Sequence, residues 1–370
     1  MQGVPQWIRG RTSRQAHVAL PEGTCEEEHG RLGFFGAASH LYRLHAPTGW
    51  TNVEGPAAHA AMDLVKLDIA DDLWPTEVLH NGDLSVAFHR FGRGRPEFLR
   101  DADGDLLYFV HAGTGRLQTE YGPLDYRPGD YLLLPRGTTF RFEPSEPTDC
   151  LVLESRSGVI GLPDRGILGR HALFDPAVIE VPEPDPIDEE GEFTIVVKRQ
   201  GYDTRVTYPF HPCDVVGWKG DLAPMRLNVA DIRPVSSARY HLPPSVHSTW
   251  IGEGFVVATF APRPGEEDPE ALKLPFFHRN IDFDEVIFYH RGSFFSRDDI
   301  HPGMISLHPR GFSHGPHPRA LAASRSAPRQ TTDEVAVMLD SRDPLDATEA
   351  AERIEWPGYV DSWKPKPGDA

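Results

Sequence analysis

Cysteine is scarce: Cys25, Cys150 and Cys213 are the only three in 370 residues. Their odd number, wide spacing and lack of a C-x-x-C pair exclude a disulfide framework and a thiolate zinc site. No apolar run approaches the roughly 20 residues that a membrane-spanning helix needs. The opening residues, MQGVPQWIRG, have no apolar signal core. A reducing cytoplasm is the expected location. Basic residues are also in short supply. Lys and Arg total 37 against 55 Asp and Glu, a formal net charge of −18. A surface of that sign repels nucleic-acid phosphates and anionic lipid, so neither is an expected partner.

Turn-formers, by contrast, are abundant, with 34 Gly and 35 Pro. They punctuate short β-branched or aromatic runs such as LSVAFHRF (84–91), LLYFVHA (106–112), YLLLP (131–135), CLVLE (150–154) and FTIVVKR (193–199). That pattern predicts an all-β protein, a sandwich or jelly roll. Residues 1–60 read as irregular. The acidic, proline-rich EVPEPDPIDEEGE (180–192) reads as an exposed linker. The expected division is an N-terminal domain over 1–185, a second over 186–340, and a tail over 341–370 with one helix in DATEAAERIEW.

An internal repeat carries most of the information. DLLYFVHAG (105–113) aligns without gaps on DEVIFYHRG (284–292), and PGDYLLLPRGTTF (128–140) on PGMISLHPRGFSH (302–314). In the second pair a Gly opens a turn into a strand, a Pro-x-Gly makes a bend, and a key position begins the next strand facing inward. Two such copies resemble a bicupin, a pair of small double-stranded β-helix barrels whose ligands sit on inward-facing strand positions.

The copies differ where chemistry would occur. The C-terminal copy has His314 at the key position, Glu285 seven residues before Gly292, and His278 seven before that. Two imidazoles and a carboxylate suit a non-haem Fe(II) centre with open coordination positions, and also suit Mn or Zn. The N-terminal copy has Leu99, Leu106 and Phe140 at the same places. A metal site is therefore expected in the C-terminal barrel only. His308, six residues before His314, is a candidate proton carrier, and Arg297 a candidate clamp for a substrate carboxylate. His317 is a candidate substrate contact. His290 has a twin, His111, in the metal-free copy, which argues for a structural role.

PFFHRNIDFDEV and SLHPRGFSHGPHP, with LPEG (21–24), HLYRLH (40–45), LPDRGILGRHALFDP (162–176) and DVVGWKGDLAP (214–224), resemble the homogentisate dioxygenase family in order along nearly the whole chain. The resemblance implies iron ligands at His278, Glu285 and His314, with Asp284 as the alternative carboxylate. It implies O2-dependent ring cleavage of a small aromatic acid and a trimer-based homo-oligomer. It also places Lys219 where the family has a proton-transferring His. Phe276 and Phe294 stand where the family has Tyr, so both are expected to line the substrate pocket. Arg297 replaces a Lys that meets the substrate carboxylate, and His308 matches a His near the iron. The alternatives are another metal-dependent reaction, of gentisate, hydroquinone or isomerase type, and a non-catalytic ligand-binding bicupin.

Overall fold

The structure is a computed structural model and describes residues 7–68, 72–236, 242–326 and 331–364. Four sheets account for its strands: one of seven, two of six and one of three. In the first lobe the seven-stranded sheet faces a six-stranded one across a core that includes Leu99, Tyr108, Leu117, Phe140 and Val152. In the second lobe the other six-stranded sheet and the three-stranded sheet together form the second barrel. The two lobes pack through the backs of their larger sheets, where Phe88, Phe109, Phe288, Ile305 and Leu307 share one core.

Strand periodicity explains both faces. Along Asp105–Ala112, Leu107 and Phe109 enter the core between the lobes, while Leu106, Tyr108 and Val110 fill the barrel. Both faces are buried, so the strand reads as an unbroken apolar run. Asp284–Arg291 follows the same alternation. Val286 and Phe288 enter the shared core, whereas Glu285, Ile287 and Tyr289 face the barrel interior. The bicupin architecture expected from the repeat is the one observed.

The expected division at 185/186 is not where the sheets divide. Phe193–Arg199 pairs in parallel with Phe98–Asp101, and Met225–Asn228 pairs with Asp130–Leu134, so both extend the first lobe. Conversely, Ala60–Asp63 pairs with Met304–His308 in the second lobe. The segment preceding each barrel thus docks on the other one. Each ends in a single 3-10 turn, Leu64–Lys66 or Val229–Asp231, capped by Asp63 or Asn228. The repeat's Pro-Gly makes room for that turn. Gly129 and Gly303 have φ of +87° and +90°, and a Cβ on them would lie 2.8 Å from Val229 Cγ2 and 2.4 Å from Val65 Cγ2.

Within 1–60, the described residues 7–60 are more regular than expected. Cys25–Gly30 pairs in parallel with Phe277–Asn280 and antiparallel with Ala38–Arg43. The tail helix is shorter than expected, Glu349–Glu352, and is followed by a 3-10 turn over Val360–Trp363. No described helix is long and apolar enough to cross a membrane.

Candidate metal centre

His278 and His314 face each other across an isolated bridge, each backbone N–H donating to the other's carbonyl at 2.9 Å. Leu99 and Phe140 pair identically in the first lobe. Glu285 is the cross-strand partner of His308, as Leu106 is of Leu134. These four positions, His278, Glu285, His308 and His314, correspond to Leu99, Leu106, Leu134 and Phe140 in the first barrel, all buried.

The imidazoles are held by their Nδ1 atoms. His278 Nδ1 donates to the Phe276 carbonyl (3.1 Å) and His314 Nδ1 to the Phe312 carbonyl (3.3 Å). That tautomer leaves Nε2 as the bare lone pair on each ring. The two Nε2 atoms lie 3.5 and 3.3 Å from the Glu285 carboxylate, and both are buried without a hydrogen-bond partner. An ion bound at 2.0–2.2 Å separates adjacent ligand atoms by roughly 3.0–3.5 Å, so the donor set fits a divalent metal.

Electrostatics point the same way. Burial opposes ionisation of Glu285, yet the surrounding histidines, His314 foremost, hold it well below the usual carboxylate range. His278 and His314 shift in opposite directions. Burial pushes both down, but the nearby Glu285 carboxylate outweighs it at His278, which ends raised, while His278 adds repulsion at His314, which ends lowered. One carboxylate cannot retain protons on two imidazoles in a dry site. A divalent cation would replace them and satisfy all three ligands together.

Asp284, the alternative carboxylate, is occupied elsewhere. Its oxygens accept the backbone N–H groups of Arg310 and Leu345, both at 2.9 Å. Asp105 accepts those of Arg136 and Ile160 in the first lobe in the same way. Asp284 thus preserves the repeat, and Glu285 alone faces the histidines.

A cavity of about 170 Å³ opens onto His278 and Glu285 and is lined in part by Phe276, Phe294, Tyr289 and Arg297. It is close in size to an engineered cavity that accepts benzene, about 150 Å³. Arg297 Nη1 donates to the Gly315 carbonyl (2.7 Å), while its Nε is buried without a partner.

Three expectations take a different form. His308 is locked at both ends: Nδ1 lies 2.7 Å from Glu285 Oε1 and Nε2 2.7 Å from the Tyr359 hydroxyl. Burial and His314 push it well below its ordinary value. The ring bridges the Glu285 carboxylate and the Tyr359 hydroxyl, an arrangement that positions Glu285. His317 does not line the cavity. Its Nδ1 accepts from Asp298 N (3.0 Å), and Nε2 lies 3.3 Å from Ser362 Oγ. Lys219 is exposed and also lies off the cavity; its neighbour Trp218 donates to the Pro182 carbonyl and packs on Tyr121 of the first lobe.

Other residues of the centre escaped the sequence reading. Tyr359 and Trp363 come from the tail, where nothing in the local pattern marks them. His59 comes from the exchanged N-terminal segment. Its ring centroid is 6.0 Å from that of His314 and 5.1 Å from that of Trp363, and both its nitrogens are buried without a hydrogen-bond partner. Burial, then His314, lowers it to about 3.

Fold and donor set together define a bicupin with a two-histidine, one-carboxylate centre in its second barrel. Its sequence matches the family descriptions "Homogentisate 1,2-dioxygenase N-terminal" over residues 76–229 and "Homogentisate 1,2-dioxygenase C-terminal" over 243–367. The chain belongs to the homogentisate 1,2-dioxygenase family, whose activity is ring-cleaving dioxygenation. It is 32% identical over 380 residues to a provisionally named dioxygenase of Saccharolobus solfataricus, covering 96% of this chain and 98% of that one. It is 29% identical over 280 residues to the homogentisate 1,2-dioxygenase of Bradyrhizobium diazoefficiens, covering 71% of this chain and 62% of that enzyme. Among solved structures, a cupin 2 conserved barrel domain protein from Leptotrichia buccalis aligns over 76% of this chain with a TM-score of 0.35 and 8% identity, too distant a likeness to bear weight.

Proposed function

We propose that this chain uses Fe(II), held by His278, Glu285 and His314, and O2 to open the ring of a hydroxylated aromatic acid, homogentisate or a close analogue. The observation carrying this reading is the pair of orphaned, buried Nε2 atoms around Glu285, which together with His278 lines a ring-sized cavity. When bound, Fe(II) would acidify the ring hydroxyl and provide the electronic path by which O2 reacts with a closed-shell organic molecule.

The chain's own residues supply the rest. His308 and the Tyr359 hydroxyl fix Glu285 so that its carboxylate does not rotate away from the histidines. Phe276 and Phe294 make an apolar wall for a ring face and exclude water. Arg297, with a donor unspent, is placed to pair with a carboxylate on the ring's side chain. Burial costs its charge heavily unless such a partner arrives. Phenylalanines in place of the family's hydroxyls favour a ring with fewer polar substituents near that wall, so gentisate-type and hydroquinone-type rings belong in the same comparison.

The test is anaerobic reconstitution with Fe(II), followed by O2 uptake with homogentisate, gentisate and hydroquinone in parallel. The expected result is one O2 consumed per ring opened with at least one of them, and loss of both iron and turnover in His314→Ala. Retention of iron and turnover by that variant would refute the assignment.

A further inference from the structure

A second cluster of metal-ligand chemistry lies outside the barrel centre. His17, Glu28 and His40 each bring a donor atom to within 4.8 Å of the others. We propose that they form a second site for a first-row divalent ion such as Zn2+, built from two imidazoles and one carboxylate, with the remaining position open to water. Glu28 and His40 are direct cross-strand partners on Cys25–Gly30 and Ala38–Arg43, and His17 precedes them in a loop.

The geometry is that of a held ligand set. His17 Nε2 and His40 Nε2 approach the same oxygen, Glu28 Oε2, at 3.9 and 3.7 Å. Both distances are too long for hydrogen bonds. The opposite edges of the rings face Glu26, a carboxylate only 1% exposed. His17 Nδ1 is 2.7 Å from Glu26 Oε2, and His40 Nδ1 is 3.4 Å from Glu26 Oε1. One buried carboxylate thus binds the Nδ1 edge of His17 and lies beside that of His40, and the Nε2 edges turn toward a second carboxylate. Ligating histidines are commonly oriented in this way by an outer carboxylate. Glu26 Oε1 and His40 Nδ1, though close, are buried without a hydrogen bond, so the set is not closed on itself. Contraction by a few tenths of an ångström would bring each Nε2 to roughly 3.0–3.5 Å from Glu28 Oε2, the spacing of ligand atoms around a bound ion. His40 and Glu28 retain the freedom for it, with side chains 27% and 14% exposed.

The contrast with a third acidic group is informative. Asp101 and Glu154 also converge with Asp103, but Lys198 Nζ already sits 2.6 and 2.9 Å from the first two. An ammonium fills that place. Among the described residues no Lys or Arg pairs with Glu26 or Glu28, so no ammonium or guanidinium fills the place between them.

An ion here would act on the barrel from behind. The His17 ring stacks on Phe276 with centroids 4.1 Å apart. Phe276 lines the cavity, its carbonyl anchors His278, and Glu28 is the backbone partner of His278. The ion would pin the loop carrying His17 over that wall.

The test uses the full chain, stripped with chelator, dialysed against Zn2+ and analysed for metal per chain, with folding checked by circular dichroism. Wild type should hold two equivalents. His40→Ala and Glu28→Gln should each hold one, and His314→Ala should also hold one. His40→Ala with His314→Ala together should hold none. Cobalt loading of His314→Ala should give visible absorption that Glu28→Gln added to it removes. The proposal is overturned if wild type saturates at one equivalent, or if Glu28→Gln binds as much as wild type. These readouts need no turnover, so they stand or fall separately from the dioxygenase reading.

Discussion

Asp284 and Glu285 are neighbouring acids with opposite tasks, and their substitutions should separate cleanly. Asp284→Asn loses a charged acceptor for two backbone N–H groups. It should cost about 1.5–3 kcal/mol of stability, as should Asp105→Asn, with metal content unchanged. Glu285→Gln should empty the centre instead. Urea unfolding of the metal-free proteins and metal analysis of the loaded ones distinguish the two; equal metal loss in both variants would contradict the assignment. Arg297 permits a second comparison. Arg297→Met should lower kcat/KM for a carboxylate-bearing ring at least about thirtyfold, the equivalent of about 2 kcal/mol for an unpaired buried charge partner. A ring without the carboxylate should lose much less, and an equal loss on both would remove Arg297 from substrate binding.

At the scale of elements, the exchanged segments and the tail decide how the barrel closes. Gly303 and Gly311 both have positive φ, +90° and +86°, but only Gly303 meets a neighbour, Val65 Cγ2 at 2.4 Å from a built Cβ. Gly311→Ala should therefore show the backbone cost alone, about 1–2 kcal/mol. Gly303→Ala should exceed it, because the Leu64–Lys66 turn must also move. Denaturation midpoints measure the difference, and equal losses would mean that the docked turn yields freely. The tail contributes through Tyr359. Tyr359→Phe leaves His308 Nε2 buried without a donor, costing about 1–3 kcal/mol. It should weaken metal binding by about tenfold through a looser Glu285, measurable by chelator competition.

The whole molecule is organised about an approximate twofold relation, and His111 and His290 mark it. They occupy equivalent positions in the two copies, and their Nδ1 atoms meet at 3.0 Å between the lobes. One ring must donate and the other accept, so the contact requires at least one neutral imidazole. Burial lowers both, His290 to about 3 from an ordinary 6.5. At these two sites the unfolded chain therefore binds more protons below pH 6.5, and the pair's contribution to stability falls as pH drops from 6.5 toward 3. Wild type should lose stability between pH 7 and 5 more steeply than His290→Gln. Parallel profiles in urea unfolding would show that the pair does not govern this range.

Much of this was legible in sequence because it is local. The two-residue period of a strand sets which side chains share a face, so the ungapped repeat alone placed Glu285 in register with Leu106, and His314 with Phe140. The contrast between a polar and an apolar barrel followed without coordinates. Tertiary structure decided what depends on contacts between distant residues. No local pattern records that Ala60–Asp63 completes the second barrel, that Tyr359 reaches His308, or that Cys25–Gly30 lies beside His278. For the same reason Lys219, inside the motif DVVGWKGDLAP that resembles the family, lies off the cavity, while His17, His40 and Glu28 converge from a loop and two strands of a stretch that reads as irregular. Period and composition specify which face a residue occupies; only the packing of segments far apart in the chain specifies which faces meet.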